Sequence, residues 1–453
     1  MRGSTLHWQN IVRELQVYNY VKMISLFTYG KTVVLAAALL ILLPFSAFSQ
    51  DKDSVRHKAQ VEKALANMSV KEKVAQLFVV EISRNPSPGT RAYQDSLVRD
   101  YGLGNVILMG GSIREFLKRM DELQALAKIP LMVATDGEWG AAMRFPEYLP
   151  YPRQAQLSRI EKGAEKLFYK MGRNVGRELK DVNVMVNYAP VADVSKYYMR
   201  GGALRTLSDD PEQVSVLTTA YMKGMQDAGI YACGKHYPGH GGTTADSHFE
   251  MPVILNSKAY LDSVDLYPFQ NLIDNGVEMM MLAHISVPAI DPSGIPMSIS
   301  KTLINDVLKG EQGFKGIVIT DAIAMAGLTN ENRTPVEAVM AVYKSGSDMI
   351  LMPDEPAKCI NALVAAVESG ELSIEELDSK VRKVLMLKAR AGYLEEGYNP
   401  HVKNLEHKIA AARRRDFRLI KKMRHLMEKS TKPYADLKPR GEDVTLIFDK
   451  AGK

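Results

Sequence analysis

The sequence predicts a TIM-type (β/α)₈ barrel with a short helical, basic C-terminal extension, and three observations carry that prediction. Eight short, continuous apolar runs recur between residues 74 and 352. Segments of helix length separate most of them, the alternation expected of parallel strands and crossover helices. Polar residues able to do chemistry follow several of the runs directly, and in a barrel the C-terminal ends of the strands share one mouth. At 453 residues, with 46% hydrophobic and 24% charged residues, the chain is long and apolar enough for a sizeable core, so a wholly disordered or fibrous protein is excluded.

Taken in order, the chain opens with a targeting segment. The run from Thr32 to Phe45 is apolar, follows Lys31, and is itself followed by small residues at Ala47 and Ser49. That pattern predicts a secretory signal cut near Ser49–Gln50, with residues 1–49 as signal and upstream extension and Met23 as an alternative start. The run is too short for a membrane span, which needs about 20 apolar residues. A periplasmic or extracellular location follows, with no stable membrane span after cleavage.

Residues 50–395 form the expected barrel. Its strands are assigned to residues 74–82, 105–109, 131–135, 183–187, 230–234, 279–283, 316–320 and 348–352, which are rich in β-branched residues, Leu and Met, as fully buried parallel strands should be. Residues 113–127, 163–180, 211–228 and 335–345 have helix length. An open doubly wound sheet remains the alternative, because periodicity does not reveal closure. Residues 396–453 read as a basic helical linker or the truncated start of a C-terminal domain, with the helix over 405–429.

The formal net charge of +6 is unevenly placed. Residues 401–453 hold 15 Lys/Arg against 7 Asp/Glu, and the other 400 hold 43 against 45. The barrel therefore lacks the basic footprint of a nucleic-acid-binding protein. Cys233 and Cys359 are too few for a disulfide scaffold and sit in apolar contexts, so buried, inert thiols are expected.

The densest chemistry lies in Lys235-His-Tyr-Pro-Gly-His-Gly-Gly-Thr-Thr-Ala-Asp-Ser-His248. Pro238 and Gly239 exclude a helix, so the segment is a loop following the fifth strand. Asp246 and His248 are two residues apart and point the same way in an extended chain, so the carboxylate can orient the imidazole and stabilise its protonated form. An ordinary imidazole titrates near about 6.5, which suits acid/base work at neutral pH. Metal ligation by His236, His240, His248 and Asp246 and a purely structural, hydrogen-bonded loop are the competing readings.

Asp321 ends the run Gly316-Ile-Val-Ile-Thr320. Alone it could be a helix N-cap; beside a His/Asp pair on the same barrel mouth it reads as a nucleophile. A retaining glycosidase needs one carboxylate to attack the anomeric carbon and one group to protonate the leaving oxygen, here His248 in place of a second carboxylate. Asp136, Arg144 and Arg205 can bind vicinal hydroxyls, and Trp139 can stack on a sugar ring. The expected partner is therefore a carbohydrate.

The Lys-His-Tyr-Pro-Gly-His-Gly…Asp-Ser-His pattern resembles the signature of glycoside hydrolase family 3, in its bacterial β-N-acetylglucosaminidase branch. Similar matches are Asp136-Gly-Glu-Trp-Gly, Asn187-Tyr-Ala-Pro-Val-Ala-Asp193, Arg205…Asp210-Pro211, Ala283-His284-Ile285, Thr320-Asp321 and Ile350-Leu-Met-Pro353, spread over about Val70 to Tyr393. The resemblance implies a barrel that hydrolyses terminal β-linked N-acetylglucosamine in two retaining steps. It assigns Asp321 as nucleophile and Asp246–His248 as the acid/base dyad. It maps Asp136, Arg144, Arg205, Lys235 and His236 onto the positions that hold the sugar's hydroxyls and acetamido group, with no metal or organic cofactor. Two departures stand out: Trp139 replaces a glycine of the branch's usual Asp-x-Glu-Gly-Gly, and Ala322-Ile323 replaces Asp-Leu after the nucleophile. A β-glucosidase or β-xylosidase of the same family and an inactive sugar-binding protein are the alternatives.

Overall fold

Eight parallel strands run in the order of the chain: β1 (Phe78–Glu81), β2 (Asn105–Leu108), β3 (Met132–Thr135), β4 (Val186–Asn187), β5 (Tyr231–Tyr237), β6 (Met279–Leu282), β7 (Ile317–Thr320) and β8 (Ile350–Leu351). β8 pairs with β1 through Phe78 and Ile350, and a bridge between Ile319 and Met349 joins the last open edge, so the sheet closes into the expected barrel. The computed structural model describes residues 53–194, 205–242, 251–325, 328 and 333–430. The signal segment therefore lies outside the described residues. The chain divides into two units, residues 1–59 and 60–453, and in the first of these residues 53–59 are helical.

Strands β2, β3, β6 and β7 are buried along their whole length, which is why they read as apolar runs instead of alternating ones. The first strand is shorter than its apolar run. Val70–Ala75 is a helix, α1, because Ser69 caps the Glu72 N–H at 3.2 Å while the Glu72 carboxylate accepts the Ser69 N–H at 2.8 Å. This reciprocal capping starts a helix where hydrophobicity alone suggested a strand. The fifth strand is longer than expected, and Lys235 and His236 lie in it, not after it.

The outer layer comprises α2 (Pro88–Arg99), α3 (Ile113–Gln124), α4 (Ala164–Asp181), α5 (Pro211–Asp227), α6 (Tyr267–Asp274), α7 (Pro335–Ser345), α8 (Pro356–Glu368), α9 (Ile374–Arg390) and α10 (Leu405–Glu428). Helices α4 and α5 approach so closely that a Cβ on Gly172 would lie 2.0 Å from the Tyr221 carbonyl oxygen, and one on Gly224 2.1 Å from that of Tyr169. Both positions require glycine for space.

Helix α10 is amphipathic and lies on the barrel. It buries Ala412, Leu419, Ile420 and Met423, together with Asp416, whose carboxylate accepts the Tyr151 hydroxyl at 2.7 Å and the Asn174 amide at 3.1 Å. Most of its basic residues are exposed around that stripe, whereas Arg415 lies 3.7 Å from Glu178 and Lys408 3.5 Å from Asp181, both on α4. Among the described residues no helix is long and apolar enough to cross a membrane. Cys233 and Cys359 are free and buried, and burial pushes both thiols up, which fits inert packing.

Among the described residues, one buried cation has no carboxylate beside it. Lys388 of α9 is fully buried, and its ammonium donates to Gln76 Oε1 and the Gly104 carbonyl, both at 2.8 Å. Burial pushes its pKa down to about 7 from an ordinary 10.5. Between these values the unfolded chain binds the proton that the folded chain has lost, so stability rises with pH across this window. Relative to Lys388→Met, the wild type should gain up to about 1.4 kcal/mol per pH unit on going from pH 7 to pH 10. Urea unfolding of both proteins at several pH values reads this directly. A constant gap between them would mean that Lys388 stays charged in the fold.

Candidate functional site

The site is built on the C-terminal ends of β3 to β7. Asp136 immediately follows β3, and the turn beyond it is pinned from two sides. Asn187 of β4 accepts the Gly137 N–H at 2.7 Å, and the Tyr221 hydroxyl of α5 donates to the Gly137 carbonyl at 3.0 Å. Gln154 donates to the Glu138 carbonyl at 2.7 Å. The turn is thereby held so that the side chains of Asp136 and Glu138 both reach Lys235 of β5.

Opposite charges alternate through the centre of the site. Arg144 donates to Asp136 at 3.0 Å, and Lys235 lies 2.7 Å from Asp136 and 2.8 Å from Glu138. Arg205 grips Glu138 with two hydrogen bonds, of 3.0 and 2.8 Å, and places its second guanidinium nitrogen 3.2 Å from His236 Nε2. The other ring nitrogen, His236 Nδ1, lies 2.7 Å from Asp193, which also accepts the backbone N–H groups of His236 and His240. Lys235 and Glu138 are each 2% exposed, a depth at which an unpaired charge would be strongly unfavourable. Burial alone would raise Glu138, but Lys235 and Arg205 outweigh it and hold the carboxyl far below the usual range. Burial likewise opposes ionisation of Asp193, and His236 with the His240 N–H brings it down to about 2.

Asp321 stands just past β7, as expected. Its N–H donates to the Leu282 carbonyl at 2.9 Å, and its Oδ1 accepts the Ala322 N–H at 2.8 Å. Oδ2 lies 4.0 Å from His236 Nε2, and the side chain keeps 19% of its surface exposed. Burial works to raise this carboxyl, but the surrounding basic groups, among them Lys235, and the Ala322 N–H more than offset it, leaving Asp321 below the ordinary aspartate value. His284, after β6, is fully buried between the Ser298 hydroxyl at 2.7 Å and the Ala322 carbonyl at 3.1 Å. Burial lowers its pKa, so it acts as a neutral support beneath the Asp321 turn.

Asp136, Arg144, Arg205, Lys235, His236 and Asp321 are therefore linked through one constellation. Asp246 and His248 lie outside the described residues. Arg205 reaches across to Glu138 instead of pairing within its own loop. One face of the Trp139 ring is occupied by Arg153, whose guanidinium carbon lies 3.2 Å from the ring centroid. Among the described residues no three His, Cys, Asp or Glu side chains form a metal-holding group. Glu138 and Asp193 were not among the expected site residues. Both stood inside quoted motifs, and an acidic residue in an otherwise apolar, strand-adjacent segment is the signal that marks a buried pair.

Comparison with known proteins gives concordant matches. The family model described as the glycosyl hydrolase family 3 N terminal domain matches residues 69–387. A protein named beta-hexosaminidase from Nitrosospira multiformis is 34% identical over 264 residues, covering 56% of this chain and 74% of its own length. A beta-hexosaminidase from Alkalilimnicola ehrlichii is 36% identical over 262 residues, with the same two coverages of 56% and 74%. The solved structure of a glycoside hydrolase family 3 beta-N-acetylglucosaminidase from Paenibacillus sp. is 28% identical, with a TM-score of 0.71. That match covers 80% of this chain and 69% of the other.

Proposed function

The chain belongs to glycosyl hydrolase family 3, and from that premise we propose that it is a retaining β-N-acetylhexosaminidase. It removes terminal β-linked N-acetylglucosamine from peptidoglycan fragments or chitin-type oligosaccharides, outside the cytoplasm. The observation that carries this reading is the ionised, partly exposed Asp321 at the barrel mouth, beside the Lys235–Arg205–His236 cluster. The names of the bacterial relatives support a hexosamine, and that of the Paenibacillus enzyme supports its N-acetylated form.

In the first step Asp321 Oδ2 attacks the anomeric carbon, the bond to the leaving oxygen breaks, and His248 gives that oxygen its proton. In the second, His248 takes a proton from water, whose oxygen attacks the same carbon and releases Asp321. Asp246 orients the His248 ring through both steps. Asp136, Arg144, Arg205, Lys235 and His236 bind the sugar's hydroxyls and acetamido group, and their mutual ion pairs hold these donors in place before substrate arrives. No metal or organic cofactor takes part.

The test is release of p-nitrophenol from its β-N-acetylglucosaminide and its β-glucoside by the purified, secreted protein. A strong preference for the acetamido sugar is expected. Preference for glucose would replace this reading with a β-glucosidase, and silence on both by folded protein would favour a sugar-binding module.

A further inference from the structure

Glu138 has no assigned part in the chemistry, yet it shares with Lys235 the deepest burial of any charge in the constellation, 2% exposed. Its two oxygens are fully used, Oε1 by Lys235 and Arg205 at 2.8 Å each and Oε2 by Arg205 at 3.0 Å. A bidentate grip on a guanidinium fixes the plane of that group as well as its position. Arg205 Nη2 is thereby set 3.2 Å from His236 Nε2.

A guanidinium has only donors, so the ring nitrogen facing it must offer a lone pair. Nδ1 then carries the proton and donates to Asp193 at 2.7 Å. The consequence falls on Asp321, 4.0 Å from the same Nε2. A protonated Nε2 would direct its N–H at the carboxylate and cap it. An Arg205 released from Glu138 would have Asp321 as the next carboxylate to pair with. With Nε2 as acceptor and Arg205 held on Glu138, neither happens. Oδ1 is taken by the Ala322 N–H, whereas Oδ2 accepts no hydrogen bond among the described residues.

We propose that Glu138 is a positioning residue that keeps the attacking oxygen of Asp321 free, by holding Arg205 on His236 Nε2. The inference rests on Asp321 being the nucleophile. Its physical logic is that a nucleophile is weakened by any donor satisfied in the ground state but lost during attack. In this role Glu138 acts through its neighbours, by determining where the Lys235 and Arg205 donors point.

The experiment compares the full chain with Glu138→Gln and Glu138→Asp. Gln preserves shape and removes charge, whereas Asp preserves charge and shortens the reach. On p-nitrophenyl β-N-acetylglucosaminide, kcat/KM should fall on the order of 100-fold in Glu138→Gln, and less in Glu138→Asp. The reverse order would make Glu138 a packing residue and overturn the proposal. Nitrogen-15 NMR of the histidine rings supplies a readout that needs no substrate. In the wild type near neutral pH, His236 Nε2 should be an unprotonated, hydrogen-bonded acceptor, and in Glu138→Gln that hydrogen bond should be lost. A protonated Nε2 in the wild type, or an unchanged resonance in the Gln variant, overturns the inference even if the enzyme prefers another sugar. The wild-type spectrum decides alone should the Gln variant fail to fold.

Discussion

Asp321→Asn should remove essentially all turnover, with kcat/KM falling on the order of 10⁴-fold or more. The carboxylate is asked to form an ester with the anomeric carbon, and an amide oxygen is too weak a nucleophile to replace it. The substitution is otherwise mild. Asn Oδ1 can still accept the Ala322 N–H that Asp321 accepts at 2.8 Å, and the backbone bond to the Leu282 carbonyl is untouched. The new amide group would take the place of Oδ2, about as far from His236 as the 4.0 Å seen now. Thermal unfolding should therefore shift little while activity disappears. Mass spectrometry of quenched reactions adds a second measurement: the wild type should gain the mass of one sugar on a slow substrate, and the variant should not. Retention of more than a few per cent of activity by the variant would move the nucleophile elsewhere in the barrel mouth. Because Asp321 is held below the ordinary aspartate value, it is ionised throughout the neutral range, and the acidic limb of the pH profile should report another group.

The barrel was legible because its strands are buried on both faces and so carry unbroken apolar runs, such as Met279–Leu282 and Ile317–Thr320. Legibility failed where a second rule overrode hydrophobicity. Val74 and Ala75 belong to a helix because the Ser69–Glu72 capping box starts one, and that signal was present in the sequence. Lys235 and His236 broke the apolar pattern of the fifth strand and so looked like loop, yet they are buried within it. They can be buried because their counterparts come from other strand ends: Asp136 and Glu138 for Lys235, Asp193 for His236. A pair such as Arg205 with Glu138, 67 residues apart, leaves no local periodicity to read. The same holds for α10, where Asp416 sits in the middle of the buried stripe and disguised an amphipathic helix as a charged linker. The placement of Asp136 and Asp321 at strand ends was thus readable by position, whereas the partners that hold the constellation together were not, because those contacts are distant in sequence.

His248→Ala should separate substrates by their leaving groups. If His248 protonates the departing oxygen, its loss matters most where that oxygen is a poor leaving group, as in an oligosaccharide. There kcat/KM should fall by roughly 10²–10⁴-fold, the usual worth of general acid catalysis. With p-nitrophenol, which departs without help, bond breaking should be nearly unaffected. The second step still needs a base to activate water, so glycosyl-enzyme should accumulate and kcat should fall further than kcat/KM. The variant should also lose the basic limb of the wild-type profile, since an acid that must be protonated at bond cleavage ceases to work as pH rises through its pKa. Asp246→Asn should reproduce part of this effect, because the ring would lose the carboxylate that orients it and stabilises its charged form. Equal losses on good and poor leaving groups would argue for a structural role of His248 in the loop. Normal turnover of an oligosaccharide by the variant would transfer the acid/base role to another group at the barrel mouth. His284 is a poor candidate for that replacement: it is fully buried, its two nitrogens are engaged by Ser298 and Ala322, and burial disfavours its protonated form. His236 is constrained as well, with Nδ1 committed to Asp193 and Nε2 facing the Arg205 guanidinium, so it is a poor candidate too.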